Sequence, residues 1–175
     1  MIGIRLPQRA VLLTYCRVAC DNDREMLDIQ LPEPAPRTFL LFVQTSDAVV
    51  KHADAALFHY GLSAVKLMVL QILASQGGSL TPGAIALLAQ REPHTISTLV
   101  QRLKRQGLIK VGPSAKDRRS KVVSLTPKAR KLLEQVRPAA GKIAERVMAS
   151  LDGTHLKSLE ESLRVMWQNA RDGSQ

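Results

Sequence analysis

Residues 91–131 read REPHTISTLVQRLKRQGLIKVGPSAKDRRSKVVSLTPKARK, and this stretch decides the fold. It holds twelve lysines and arginines against two acids, Glu92 and Asp117, so it carries the whole formal excess of +10. Residues 1–90 balance at seven bases and seven acids, and residues 132–175 at six and six. Pro93 suits the first position of a helix. Ile96, Leu99, Val100 and Leu103 then recur in threes and fours, which is the period of one helix face. His94, Thr95, Ser97, Thr98, Gln101 and Arg102 fall largely on the rest of that helix, and Gly107 is suited to cap its C-terminus. Residues 108–112 and 121–125 are β-like runs on either side of a long basic tip, a hairpin with the shape of a wing. A positive field so concentrated draws a polyanion over about one Debye length, roughly 8 Å at physiological salt. Nucleic acid is the leading partner.

Working upstream, Thr81 and Pro82 are a hydroxyl cap followed by a proline at the first helical position. They start a short helix over 83–89. After the turn Gln90-Arg91-Glu92 comes the basic amphipathic helix, so the pair forms a helix-turn-helix pattern. Ser63 caps a helix reaching residue 75 that is apolar nearly all round and is expected at the centre of the core. Residues 79–81 read as a short extended link. A long helix is expected from residue 37 to about residue 60, ended by Gly61. Before it, residues 31–36 read LPEPAP, and three alternate prolines predict an extended arm. Downstream, Thr126-Pro127 repeats the hydroxyl-then-proline start. Ala129, Leu132, Leu133, Val136, Ala140, Ile143 and Val147 follow at helical spacing, and Pro138 and Gly141 are expected to interrupt and kink that helix. Asp152-Gly153-Thr154 begins a last helix with Leu156, Leu159, Leu163, Met166, Trp167 and Ala170 on one stripe.

Composition removes several classes. A hydrophobic share of 45% is that of a globular chain, and 3% aromatics argue against base stacking on an RNA-binding sheet. No apolar run approaches eighteen residues, so no membrane span is expected. Cys16 and Cys20 are the only thiols, which fits a reducing cytoplasm, and with no companion ligands they do not make a zinc site. The apolar run 10–15 is interrupted by Arg17 and followed by Asp21, Asp23 and Glu25, so it does not read as an export signal. Met26 is a second candidate start, which would leave residues 1–25 untranslated. The chain has no glycine-rich phosphate loop, nucleophile elbow or clustered acid pair, so no enzyme, cofactor or metal is expected. His52 and His59 lie seven apart, about 10 Å along a helix axis, too far to share one ion.

The run from Asp117 to Thr126 fits the pattern D-x-R-x-x-x-V-x-L-T at Asp117, Arg119, Val123, Leu125 and Thr126. That pattern is the wing signature of the multiple antibiotic resistance regulator (MarR) family, which the chain resembles over about residues 37–172. Residues 95–103 resemble that family's recognition helix, and Gly107-Leu108-Ile109 its exit into the wing. One departure is Ala129, where the family usually has glycine.

The resemblance implies a mainly α fold with a small β-hairpin wing. Residues 61–126 would be the winged helix-turn-helix DNA-binding domain, 37–60 and 127–172 dimerisation helices, and 1–36 an N-terminal extension or arm. It implies a transcriptional repressor that binds a pseudo-palindromic operator in double-stranded DNA as a homodimer. Short polar side chains near a recognition helix's N-terminus reach base edges, which makes His94, Thr95, Ser97 and Thr98 candidates. Arg102 would reach a guanine or a phosphate, and Lys121 a phosphate. Arg118 and Arg119 suit a narrow minor groove, with Asp117 orienting an arginine. The family also implies release by a small-molecule effector, often aromatic or phenolic, held between the dimer helices and the winged helix. His59, Tyr60 and Lys66 are the candidate polar lining of that pocket. The competing reading is a winged-helix module that docks RNA or protein without an operator.

Overall fold

A computed structural model describes residues 33–113 and 120–172. The chain falls into two compact units, one ending at Lys51 and the other beginning at His52. The fold is mainly helical with one small antiparallel sheet.

Helix α1 (Pro34–Leu57), whose residues as far as Lys51 belong to the first unit, begins three residues earlier than the prolines suggest. Pro34 and Pro36 lie in its first turn, where backbone N–H groups have no intrahelical acceptor, so the missing donors cost nothing. Thr38 Oγ1 donates to the Pro34 carbonyl at 2.8 Å. The rest of the expected arm, Leu31 and Pro32, lies outside the described residues.

The second unit holds the core. A 3-10 turn, Phe58–Tyr60, leads to Gly61, whose φ of 66° is the left-handed conformation that favours glycine. Helix α2 (Ala64–Ser75) is capped by Ser63, and Asp54 Oδ1 accepts from the Ala64 amide at 2.6 Å. Leu67, Val69, Leu70 and Leu73 of α2 are all buried, as a central helix requires. Strand β1 (Ser79–Leu80), helix α3 (Pro82–Ala89) and helix α4 (Pro93–Arg105) follow, with Thr81 capping α3. Gln90 takes a left-handed φ of 49° and closes α3, while its neighbour Arg91 donates to the Ala86 carbonyl at 3.0 Å. After α4, Gly107 (φ 71°) donates to the Lys104 carbonyl and Leu108 to the Leu103 carbonyl, the paired bonds of a glycine-ended helix.

Strands β2 (Ile109–Pro113) and β3 (Lys121–Leu125) form the expected hairpin, Ile109 opposite Leu125 and Pro113 opposite Lys121. The link 79–81 contributes β1 as a third strand, on the other edge of β3, with Ser79 opposite Ser124. The two serine hydroxyls meet at 2.8 Å across that pair.

Helix α5 (Pro127–Val147) runs through Pro138 and Gly141 as one element, so the expected interruption is absent. Pro138 and Glu134, whose carbonyl it leaves without a helical donor, are both exposed, and exposure lets water replace that bond. Ala129 and Val136 reach the core from α5. Helix α6 (Gly153–Asp172) is capped by Asp152, whose Oδ1 accepts from the Thr154 and His155 amides at 2.9 Å each. The His155 amide and ring, and then the Thr154 amide, hold the Asp152 carboxyl below the usual carboxylate range. Leu156, Leu159, Leu163 and Trp167 lie exposed along α6. No single helix among the described residues is long and apolar enough to cross a membrane.

Thr126 joins the sheet to α5. It is buried, its hydroxyl lies 2.8 Å from the Gly107 carbonyl and 3.1 Å from that of Leu108, and its oxygen accepts from the Ala129 amide at 3.2 Å. Valine has nearly the same shape but keeps none of these bonds. Thr126→Val is expected to cost about 2 kcal/mol, a lost cap together with carbonyls left short of a donor. The shift of the urea midpoint at unchanged m-value measures it.

Candidate nucleic-acid interface

Helix α4 divides cleanly by face. Ile96, Leu99, Val100 and Leu103 are buried, which fixes the rotation of the helix about its axis. That rotation turns His94, Thr95, Ser97, Thr98, Gln101 and Arg102 outward, and all six are exposed. The outward face is therefore a consequence of apolar residues placed at helical spacing. Thr98 Oγ1 donates to the His94 carbonyl at 3.1 Å, which leaves its oxygen free to accept. Thr95 Oγ1 lies 3.4 Å from His94 Nε2.

The N-terminus of α4 carries no side-chain cap and no acid in its first turn. Its free amides and positive dipole end suit a phosphate oxygen. Arg102, Lys104 and Arg105 fill the last turn, where they also offset the negative end of the dipole.

Nine of the twelve bases in 91–131 are described, and every one of them is exposed: Arg91, Arg102, Lys104, Arg105, Lys110, Lys121, Lys128, Arg130 and Lys131. No carboxylate among the described residues pairs with any of the nine. Their charge is thus left to act on the surroundings.

The wing signature splits into two kinds of residue. Val123 and Leu125 face the core from β3, and Thr126 makes the three contacts described above, so these positions build the wing rather than touch a ligand. Lys121 begins β3 and is exposed. Asp117, Arg118 and Arg119, with Lys116, lie outside the described residues.

A cavity of about 480 Å³ opens beside the end of α4. It is lined by Tyr60 and Gly61 after α1, by Gln106 and Leu108 after α4, and by Lys128, Lys131, Leu132 and Gln135 of α5. Of the three residues expected to line an effector pocket, Tyr60 is in this wall. Lys66 instead donates from Nζ to the Gly61 carbonyl at 3.2 Å, and the His59 ring stands edge-on to Phe58. No described residue of α2 is in the wall of this cavity. Gln106, Lys128 and Lys131 carry no local mark in the sequence that would point to a pocket. Gln106 precedes the helix-ending glycine, and the two lysines look like any bases near a helix start.

Comparison with known proteins agrees with this geometry. A model of the MarR family matches residues 60–120. YdgG, an uncharacterized HTH-type transcriptional regulator of Bacillus subtilis, is 27% identical over 107 residues, which are 60% of this chain and 70% of that protein. NicR, an HTH-type transcriptional repressor of Pseudomonas putida, is 31% identical over 105 residues, 60% of this chain and 66% of that protein. Among solved structures, the MepR–DNA complex of S. aureus superposes with a TM-score of 0.68 at 27% identity, over 74% of this chain and 95% of MepR.

Proposed function

Because the chain belongs to the MarR family of DNA-binding transcription regulators, we propose that it is a repressor that binds a pseudo-palindromic operator in double-stranded DNA as a homodimer. The observation that carries this reading is the outward face of α4, polar at its N-terminal end and set among nine exposed bases. A helix so faced fits the major groove, where Thr95, Ser97 and Thr98 reach base edges and Arg102 a guanine or phosphate. His94, in the same N-terminal region of the helix, is a further candidate to reach a base edge. The wing arginines Arg118 and Arg119, oriented by Asp117, enter the minor groove, and Lys121 contacts the backbone.

Homodimer formation is supported by apolar side chains left in water. Leu156, Leu159, Leu163 and Trp167 line α6, and Phe39, Phe42 and Val50 are exposed on α1. Each stripe has the helical spacing that a two-fold partner would bury. In this reading residues 37–60 and 127–172 dimerise, 61–126 bind DNA, and 1–36 are an arm. The protein works in the cytoplasm, and a small molecule in the cavity beside Tyr60 releases it from its operator.

The test is to select bound duplexes from a random DNA pool and to measure the mass of the protein in solution. An inverted repeat with half-sites about 34 Å apart, bound by a dimer, is expected. A concentration-independent monomer, or a preference for RNA, overturns the proposal.

Substitutions on the two DNA elements should behave differently. Arg119→Ala is expected to weaken binding to all sites strongly. Ser97→Ala or Thr98→Ala should change preference at particular bases by about 1–3 kcal/mol. Binding of each variant to a panel of single-base operator changes separates the two. Wild-type affinity in Arg119→Ala would make the wing signature purely structural.

A further inference from the structure

The exit of α4 is closed by the start of α5. Gln106, Gly107 and Leu108 return their amides to the carbonyls of Arg102, Lys104 and Leu103. The carbonyls of those same three residues lie past the end of the helix, where no intrahelical donor follows. All three are taken by two residues of one short segment. The Leu108 carbonyl accepts from the Thr126 amide at 3.1 Å, the Gly107 carbonyl from the Thr126 hydroxyl at 2.8 Å, and the Gln106 carbonyl from Lys128 Nζ at 2.8 Å. A further bond reaches the same place from another side, where Gln106 Nε2 donates to the Gly61 carbonyl at 3.1 Å.

Lys128 is set apart from the other bases of the stretch 91–131. Among the described residues, it is the one base of that stretch whose side chain hydrogen-bonds the protein. Arg102, Lys104 and Arg105 already crowd this end of α4, and their like charge opposes a fourth cation there. The short, charge-assisted bond to the Gln106 carbonyl holds it in place. Lys128 is also remote from the groups that would meet DNA. Gln106 lies eight residues beyond Thr98, about 12 Å along the helix axis. On the sheet, Lys121 pairs with Pro113 at the wing end and Leu125 with Ile109 at the other, about 13 Å away, and Lys128 follows Leu125.

We propose that Lys128 is a positioning residue: it fixes the end of α4 to the start of α5 and so sets the half-site spacing that the dimer accepts. The inference rests on the reading above of an operator-binding homodimer. In that reading α5 is a dimer helix, and the two copies of α4 meet half-sites on either side of the two-fold axis. Their separation is transmitted through whatever joins α4 to α5. Along the backbone the two helices are joined only through the wing hairpin. The Lys128 bond bridges the same 22 positions in one step. With it, α4 keeps a fixed angle to α5. Without it, this end of α4 loses one of its ties and tilts more readily toward a displaced half-site. Lys128 thus takes part in the choice of operator without touching DNA.

The experiment measures binding of the full chain to two duplexes, the selected operator and the same operator with one base pair inserted between its half-sites. The insertion moves one half-site by about 3.4 Å and turns it by about 35°. Wild type is expected to prefer the uninterrupted operator at least about 10-fold. Lys128→Met keeps the stem and removes the charge and the donor. It should bind that operator about 5-fold more weakly and narrow the preference at least about 3-fold. A lysine that merely stabilised the fold would weaken both duplexes by one factor and leave their ratio alone. The salt slope separates positioning from contact. Lys128→Met should keep the wild-type slope, whereas Lys121→Met, which removes a backbone contact from each protomer, should make it shallower by about 2. If Lys128→Met does not fold, Lys128→Ala, a good helix former in the first turn, takes its place. Failure of both to fold, an unchanged spacing ratio, or a slope as shallow as that of Lys121→Met overturns the proposal. A wild type that binds no duplex refutes the operator reading. One that binds the operator but is indifferent to the insertion, or discriminates as well without Lys128, refutes this inference alone.

Discussion

Raising the salt concentration from about 50 to about 200 mM is expected to weaken operator binding by about 10^5-fold. The cause is charge that has nowhere else to go. The excess of +10 lies within 41 consecutive residues, and the nine described bases among them are exposed, with no carboxylate partner among the described residues. Phosphate contacts made by such side chains release condensed counterions, and each released ion adds to the salt dependence. With about five phosphates neutralised by each protomer of a dimer, log K against log salt should fall with a slope near −9. Fluorescence anisotropy on the selected operator across that range measures it. A slope near zero would mean that the basic segment serves something other than DNA.

The second large effect concerns what holds α4 in place. Leu103 is fully buried, and its backbone carbonyl accepts from the Leu108 amide at 3.0 Å where the chain turns toward the wing. Leu103→Ala removes most of a packed side chain from a dense interior. Such changes cost about 2–5 kcal/mol, the lost transfer energy plus the cavity left behind. Against a total stability of about 5–15 kcal/mol, that is a large fraction. Gln101→Ala, on the exposed face of the same helix, should stay within about 0.5 kcal/mol. Urea unfolding of both variants provides the comparison. A cost below about 1 kcal/mol for Leu103→Ala would show that this face does not anchor the helix.

Much of the candidate interface is legible in the order of residues alone. The outward residues of α4 follow from the positions of Ile96, Leu99, Val100 and Leu103, because a helix buries one face and exposes the other. The basic character of the wing is written in its composition. The cavity is not legible in this way, since its wall brings together residues from positions 60 to 135 that share no pattern.

Local chemistry along the chain sets the kind and ends of most elements. Ser63, Thr81 and Thr126 cap α2, α3 and α5 through bonds to amides three residues ahead, and Gly61 and Gly107 take left-handed turns. These interactions are satisfied by neighbours in sequence wherever the rest of the chain goes. Packing sets what depends on distant partners. Two residues of the link 79–81 become β1 only because β3 offers its edge, and Thr126 meets the Gly107 and Leu108 carbonyls across 19 and 18 residues. Gln106 is likewise an ordinary helix-end residue until Gly61, 45 positions away, takes its Nε2. Backbone groups in a core must find partners somewhere, and only the packed chain fixes where.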